Sequence, residues 1–400
     1  MKKHTCFFIS NSYILRSFIF EESMRIAQFL PYFPPHKGGL ETLAEEFSKY
    51  FVGEKCGEVL NITFSVGQTS LQSYQKDGYQ VLIIPAFELI SNYPVPKFWT
   101  KQFRSVLKQV KKRNPNIIQT HTRFFLSTFL GGLCSKLRKK KRVHVEHGSG
   151  AVKGLVWRKS LFANAYDYTL GKLCFSTADQ IIAISQANLP FIQKFCKTPI
   201  EVIYRGIDFP QLTKKKKKAD QIFIGFVGRL VKLKGVALLI SAFSELIKEI
   251  PELRLKIIGN GPEKDSLQKQ VQELNLQDKV SFLGFQEQEK VQNELLPKFD
   301  LFVNPSFQEG LPTTVIEALL AETIVVATEV GGTREISQGE DLILVAPGKK
   351  DTLKVGIREA LGRYQNGYQS SSVQVRAKFD WSKSVKVYLN RYKHLLGRKL

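Results

Sequence analysis

The stretch SFQEGLPTTVIEAL, residues 306–319, carries two carboxylates eight positions apart, Glu309 and Glu317, on either side of Pro312. Proline is favoured in the first turn of a helix, where its missing N–H costs nothing. The pattern predicts a helix from Pro312 and Thr313, with Glu309 at its mouth, Glu317 two turns in, and the amides of Gly310 and Leu311 turned outward. Ionised carboxylates only accept hydrogen bonds and so suit sugar or ribose hydroxyls. The helix dipole alone also favours acids near a helix start, so the pair has to be weighed with its surroundings.

Further stretches offer chemistry of the same kind. In GFVGRLVKLKGV, residues 225–236, Arg229 and Lys234 follow a strand and present two cations suited to a diphosphate; the plainer reading is a surface pair at a helix entry. FPPHKGGLETLAEEF, residues 33–47, puts Gly38 and Gly39 just ahead of a helix, where backbone N–H groups can approach an anion, although a simple turn would look the same. IIGNGPEKDSL, residues 257–267, ends a strand at Gly259 and Gly261 and is expected to open a helix at Pro262. His147 in VEHGSG stands at a strand end; its bland role is to cap that end. His121 in QTHTRF reads as structural or as facing an acceptor.

Each of these stretches ends or follows an apolar, β-rich run. From Met24 the runs MRIAQFL, VLIIPAF, NIIQTHT, RVHVEHG and IIAIS alternate with helical patterns, the first of which keeps Leu40, Leu43, Ala44, Phe47 and Phe51 on one face. Such alternation implies a parallel sheet. The segment RGIDFPQLTKKKKKADQ, residues 205–221, interrupts it with five consecutive lysines that no core can take. A second series then runs IFIGFVGRL, LRLKIIGNG, VSFLGF, DLFVNPS, TIVVAT and ILVAP. The expected architecture is α/β, with an N-terminal extension over 1–23, a Rossmann-like domain over 24–205, a linker over 206–221, a second Rossmann-like domain over 222–380, and a helix over 381–400 crossing back to the first. Two such domains face each other across a cleft, with ligands at the carboxyl ends of the strands.

Composition narrows the class. Four hundred residues, 43% hydrophobic and 24% charged, suit two soluble domains better than one core. Five cysteines without a C-x-x-C pair argue against a disulfide framework or zinc site and fit a reducing compartment. No run reaches the ~18 apolar residues of a membrane-spanning helix. Residues 6–20 imitate a signal peptide behind Lys2 and Lys3, but Asn11, Ser12 and Arg16 break the run and no small-residue cleavage site follows. The net charge of +23 is concentrated: residues 91–160 hold seventeen Lys or Arg and a single acid, Glu146. A face of that sign attracts nucleic acid, anionic lipid or a phosphorylated substrate; a solvated face without a partner is the bland alternative.

Taken in order, the Gly-Gly after the first strand, G-R-x-x-x-x-K-G at 228–235, G-x-G-P at 259–262, E-x7-E at 309–317 and V-G-G-x-x-E at 330–335 resemble the retaining, GT-B-fold glycosyltransferases of family 4, also called group 1. The resemblance covers nearly all of residues 24–390. It implies that Glu309 holds hydroxyls of the donor sugar, that Glu317 holds the ribose, and that Arg229 and Lys234 neutralise the diphosphate leaving group. Gly38, Gly39, Gly261, Pro262, Gly310, Leu311, Pro312 and Thr313 would line the donor site, with His147 near the transferred sugar. The first domain would bind the acceptor and the second the nucleotide sugar. Two departures stand out: AETIVVAT has Glu322 and Ile324 where the family often has Gly and Pro, and YRGID replaces the commoner N-G-[VI]-D.

The resemblance also implies a mechanism. Double displacement needs a carboxylate beneath the anomeric carbon, which no stretch supplies, so reaction on one face is expected, with the leaving phosphate helping to deprotonate the acceptor. No metal and no cofactor are expected, since the two cations take the role of a divalent ion. The basic window, with KFWTKQFRSVLKQVKKR at 97–113 and KLRKKKR at 136–142, suggests a cytoplasmic enzyme peripheral to the inner face of the membrane, acting on a glycan or lipid-linked acceptor in envelope polysaccharide, lipopolysaccharide or glycolipid synthesis. The competing readings are a nucleotide-sugar epimerase of the same fold and a basic nucleic-acid-binding protein without catalysis; the window has no recognisable nucleic-acid module.

Overall fold

The computed structural model describes residues 23–398 apart from 37, 68–71, 91–92, 149, 151–164 and 212–220. The extension before residue 23, the lysine run and the tryptophan-bearing stretch 156–160 therefore lie outside the described residues. The first half is built from β1 (Met24–Phe29), α1 (Gly39–Gly53), β2 (Gly57–Val66), β3 (Gln72–Lys76), β4 (Tyr79–Ile90), β5 (Tyr93–Pro96), α2 (Lys101–Arg113), β6 (Ile117–His121), α3 (Leu126–Arg138), β7 (Lys141–Glu146), β8 (Gln180–Ala183) and β9 (Ile200–Val202). Its nine strands form one sheet in the order β3-β4-β2-β1-β6-β7-β8-β9, with β5 paired to β4. All pairings are parallel except those of β3 and β5 to β4.

The second half contains β10 (Ile222–Val227), α4 (Val236–Glu249), β11 (Leu253–Ile258), α5 (Lys264–Glu273), β12 (Val280–Gly284), β13 (Leu301–Asn304), α6 (Thr313–Leu320), β14 (Ile324–Thr328), β15 (Leu342–Val345), α7 (Lys350–Asn366), α8 (Ser372–Lys378) and α9 (Trp381–Leu395). The six strands run β12-β11-β10-β13-β14-β15, every pair parallel. Strand order reverses at β1 and again at β10, so each sheet has a switch point where the loops after two neighbouring strands diverge and leave a crevice. The two crevices face one another: the loops after β1, β6 and β7 meet those after β10, β11 and β13. The chain is thus a pair of facing Rossmann-like domains, the GT-B arrangement.

Why these segments form strands is plain from their composition. In β10 Ile224 and Phe226, and in β13 Leu301, Phe302 and Val303, are almost wholly buried, as central parallel strands covered on both faces must be. Four strands of the first sheet have no counterpart among the expected runs. The ten-residue β2 interrupts its apolar pattern with Asn61 and Thr63, both buried; β3 is exposed along its length and β9 has three residues.

Helix α9 lies against α1 of the first half. Tyr388 meets Phe47 edge-on at 5.0 Å, Trp381 stacks on Tyr50 at 5.9 Å, and Ser382 Oγ donates to Glu54 at 2.6 Å. Nearer the cleft, Glu335 of the V-G-G-x-x-E stretch accepts the backbone N–H groups of Gln186 and Ala187 at 2.7 and 2.8 Å and the Tyr204 hydroxyl at 2.8 Å. The last glutamate of that motif is therefore a link between the halves.

Candidate active site

Between the facing crevices lies a cleft of about 730 Å³. On the second-half side Lys234 Nζ pairs with Glu309 Oε1 at 2.6 Å, and Ser306 Oγ donates to the same oxygen at 2.7 Å. One carboxylate oxygen is thus committed to two donors. Lys234 reaches this position because the loop turns at Gly235, whose φ of +68° brings its backbone against the Pro305 carbonyl, 2.2 Å from where a Cβ would stand. No side chain fits there, which explains the glycine. Arg229 lines the same wall, at the end of β10.

Helix α6 opens onto the cleft from Pro312, with no side-chain cap. Thr313 and Thr314, its first two residues, line the space, and amides at such positions have no acceptor within their own helix. They form a natural seat for an anion. Gly310 and Leu311 are also in the wall, and a Cβ on Gly310 would stand 2.4 Å from the His147 carbonyl oxygen. The two halves therefore touch where Glu309 and His147 converge.

Glu317, the fifth residue of α6, is buried and accepts from Gln292 Nε2 at 3.0 Å and from Gln288 Nε2 at 3.3 Å. Burial, only partly offset by those amides, pushes its carboxyl up to about 7. It lines an adjoining pocket of about 450 Å³ that shares Gly38, Gly39 and Thr313 with the main cleft. Gly38 and Gly39 form the opposite rim at the start of α1, where the Glu41 carboxylate folds back on Gly38 and holds His36 Nδ1 at 2.8 Å.

His147 follows β7 and faces the cleft from the first half. Its Nε2 lies 3.1 Å from His121 Nδ1. Burial, helped by the positive charges of Arg205 and His144 and opposed by Glu146, takes its pKa down to about 4, so the ring is neutral at physiological pH. Beside it, Arg123 is 1% exposed and reaches Glu146 at 3.0 Å and Asp167 at 2.6 Å. Burial works against the Glu146 charge, but Arg123 and His144 hold its carboxyl down at about 2.

The structure thus gathers Glu309, His147, Arg229, Lys234, Gly38, Gly39, Gly310, Leu311, Pro312 and Thr313 round one cavity, with Glu317 in its side pocket. Gly261 and Pro262 do not line either space. Gly261 packs beneath Leu230, its would-be Cβ 2.3 Å from that carbonyl oxygen, and the following helix starts at Lys264 rather than Pro262. Their neighbours Gly259 and Asn260 line the cleft instead.

Among the lining residues that sequence reasoning missed, Arg205 and Thr122 have the most unusual surroundings. Arg205, in the departure YRGID, is 6% exposed, pairs with Glu46 at 2.6 Å and donates to the Gly39 carbonyl at 3.3 Å. Thr122 adopts φ +50°, rare for a β-branched residue, and its buried Oγ1 has no hydrogen-bond partner. Neither carries a local signal: the partners of Arg205 are distant in sequence, and Thr122 is held through its backbone N–H on the Val145 carbonyl at 3.0 Å. Among the described residues no group of three or more His, Cys, Asp or Glu could hold a metal ion.

The model for glycosyltransferase family 4 matches residues 37–210, and that for glycosyl transferases group 1 matches residues 208–367. An uncharacterized glycosyltransferase of Methanocaldococcus jannaschii is 31% identical over 391 residues, spanning 94% of this chain and 99% of its own. The N-acetylgalactosamine-N,N'-diacetylbacillosaminyl-diphospho-undecaprenol 4-alpha-N-acetylgalactosaminyltransferase of Campylobacter jejuni is 31% identical over 61% of this chain and 67% of its own. Among solved structures, Anabaena HepE in complex with UDP superposes with a TM-score of 0.71 at 21% identity, over 93% of this chain and 100% of that one.

Proposed function

The chain belongs to the group 1, family 4 glycosyltransferases, and from that premise we propose that it is a retaining, metal-independent hexosyltransferase moving a sugar from a nucleoside diphosphate onto a lipid-linked glycan or glycolipid of the cell envelope. The observation that carries the donor half of this reading is the Lys234–Glu309 pair at 2.6 Å beside the open end of α6. A diphosphate seated on the Thr313 and Thr314 amides would meet Lys234 and Arg229, and its sugar would then lie between Glu309 and His147. Glu317, in the side pocket, would hold the ribose.

In this reading the enzyme works by orientation and by cations aimed at developing charge. As the glycosidic bond to the diphosphate lengthens, Lys234 and Arg229 stabilise the leaving oxygens, and a leaving-group oxygen accepts the acceptor hydroxyl's proton. The hydroxyl attacks on the face the phosphate vacates, which retains configuration. His147, neutral, takes no proton at physiological pH.

The acceptor half rests on a surface. Phe98 and Trp99 before α2, Leu133 and Leu137 on α3, and Tyr168, Leu170 and Leu173 beyond it are exposed by 43–75%. An apolar groove of about 600 Å³ runs between α2 and α3, with Lys111, Arg138 and Lys140 in its walls. Exposed large apolar side chains among cations suit an anionic bilayer surface. No described helix is long and apolar enough to cross a membrane; in this reading the basic and apolar surface is what attaches the enzyme to the cytoplasmic face of the membrane. The Campylobacter relative, named for a diphospho-undecaprenol acceptor, supports a lipid-linked substrate. A donor screen tests the reading: with EDTA present, one class among UDP-, GDP- and ADP-sugars should raise the unfolding temperature and release nucleoside diphosphate. Dependence on added magnesium or manganese would count against it.

A further inference from the structure

Behind His147 lies a line of buried polar side chains that the proposed reaction does not itself require. His121 Nε2 is 2.8 Å from Gln28 Oε1, and Gln119 Nε2 donates to that same oxygen at 2.8 Å. The Tyr392 hydroxyl of α9 donates to Gln119 Oε1. Gln28 Nε2 in turn donates to Ser48 Oγ and to Asn61 Oδ1, each at 2.9 Å. Gln28, Asn61, Gln119, His121 and Tyr392 are 0–1% exposed, so water cannot make good a mismatched donor, and every donated hydrogen must find an acceptor lone pair within the line.

The hydrogens can be placed from one fixed end. Ser48 has two acceptors in reach of its single O–H, the Ala44 carbonyl within α1 at 2.7 Å and Asn61 Oδ1 at 3.2 Å; the nearer takes the hydrogen, so towards Gln28 its oxygen accepts. It accepts from Asn61 Nδ2 at 3.0 Å as well as from Gln28. The Gln28 group facing Ser48 and Asn61 must therefore be the NH2, and its carbonyl oxygen must face β6. A carbonyl oxygen accepts only, which makes His121 Nε2 the protonated nitrogen. The 3.1 Å approach of Gln119 Nε2 to His121 Nε2 is then a side-by-side contact of two donors sharing one acceptor. Since His121 is neutral, burial holding its pKa well below the ordinary value, its Nδ1 is an acceptor. The 3.1 Å contact with His147 requires a proton on His147 Nε2.

We propose that this proton-ordered line of Ser48, Gln28 and His121 fixes His147 as the Nε2–H tautomer, leaving Nδ1 as the nitrogen that meets the ligand, an acceptor for one hydroxyl of the transferred sugar. The three are positioning residues: they act through His147 and touch no substrate. The consequence is a rule of specificity. The sugar must offer a hydroxyl hydrogen at that position, and a fluorine there, which only accepts, would be refused. This second step rests on the reading of His147 as a sugar-side residue, whereas the tautomer itself does not.

The test uses the full chain with 15N-labelled histidine and long-range 1H–15N correlation of the ring nitrogens. Ligand-free enzyme should show both His121 and His147 protonated at Nε2 alone; a protonated Nδ1 on His147 would overturn the proposal. In Gln28→Met, which removes the ordering acceptor, the His147 signals should change to a mixture of tautomers, and kcat/KM with the accepted donor should fall about tenfold, the worth of one net hydrogen bond. In Tyr392→Phe, which removes only a donor to Gln119, the His147 tautomer should stay as it is; a change there would contradict the assigned polarity. Should Gln28→Met fail to fold, the wild-type and Tyr392→Phe spectra still decide. A switched tautomer with unchanged turnover would uphold the ordering and reject the contact between His147 and the sugar.

Discussion

At the scale of single residues, Glu317, proposed above to hold the ribose, shows how a buried carboxyl group can be kept at the expense of stability. Its carboxyl titrates near 7 in the folded chain against an ordinary 4.5, because burial outweighs the two amides that meet it. Between those values the folded state binds more protons than the unfolded one, so this residue's contribution to stability is full below about pH 4.5 and is lost as pH rises through 7. By pH 8 the charge costs the fold about 3 kcal/mol. Glu317→Gln, which keeps an acceptor for Gln292, should therefore gain stability over wild type in urea unfolding at pH 8 by up to that amount, with little gain at pH 4.5, while binding nucleotide more weakly. An equal gain at both pH values would remove the charge from the explanation. The E-x7-E spacing pointed to this residue, but not to its surroundings: Gln288 and Gln292 sit 29 and 25 positions upstream, and only the packing of their segment against α6 brings them in. The single acid of the basic window is a similar case. Glu146 is enclosed with Arg123, so it leaves the outer surface without an acid from that stretch.

At the scale of elements, the departure AETIVVAT gains a physical meaning. Helix α6 ends in a Schellman motif, with Glu322 N–H on the Leu319 carbonyl and Thr323 N–H on the Ala318 carbonyl, each at 3.0 Å. The motif needs a left-handed residue just past the helix, and Glu322 supplies it at φ +55°, where a side chain costs about 1 kcal/mol that glycine avoids. Glu322→Gly should raise stability by about that much in thermal or urea unfolding and leave transfer unchanged. A loss of stability would mean that the Ser372 contact to Glu322 at 3.3 Å matters more than the backbone. Most of the second half was legible from its runs because its central strands β10, β13 and β14 are buried and almost uniformly apolar. The first half was less so: β2 places Asn61 inside the core as part of the polar line behind His147, and a strand that carries such a line does not look like a core strand in one sequence.

At the scale of the whole molecule, the unequal charge and the cleft become one arrangement. The basic face of α2 and α3 carries exposed Trp99, Leu133 and Leu137, while the residues proposed to hold the donor belong mainly to the second half. The enzyme would thus present its acceptor half to the bilayer and draw its soluble donor from the other side. Sedimentation with vesicles should show binding that rises with anionic lipid and falls with salt. Replacing Lys108, Lys111 and Lys139 by Gln should weaken it by about 1 kcal/mol for each lysine. Equal pelleting with neutral and anionic vesicles, or none with either, would detach the face from the membrane and favour a soluble anionic acceptor.

The central claim is that Lys234 and Glu309 act together on a nucleotide sugar in the cleft, and the most direct measurement is the rate of nucleoside diphosphate release by wild type, Lys234→Ala and Glu309→Ala with the accepted donor and EDTA. Neither side chain is part of the hydrophobic core, so both variants should fold with near-native circular dichroism. Each should lose about 2 to 4 kcal/mol of transition-state stabilisation, roughly 30- to 1000-fold in kcat/KM. Near-normal release by either well-folded variant would contradict the account and move the reaction away from this pair.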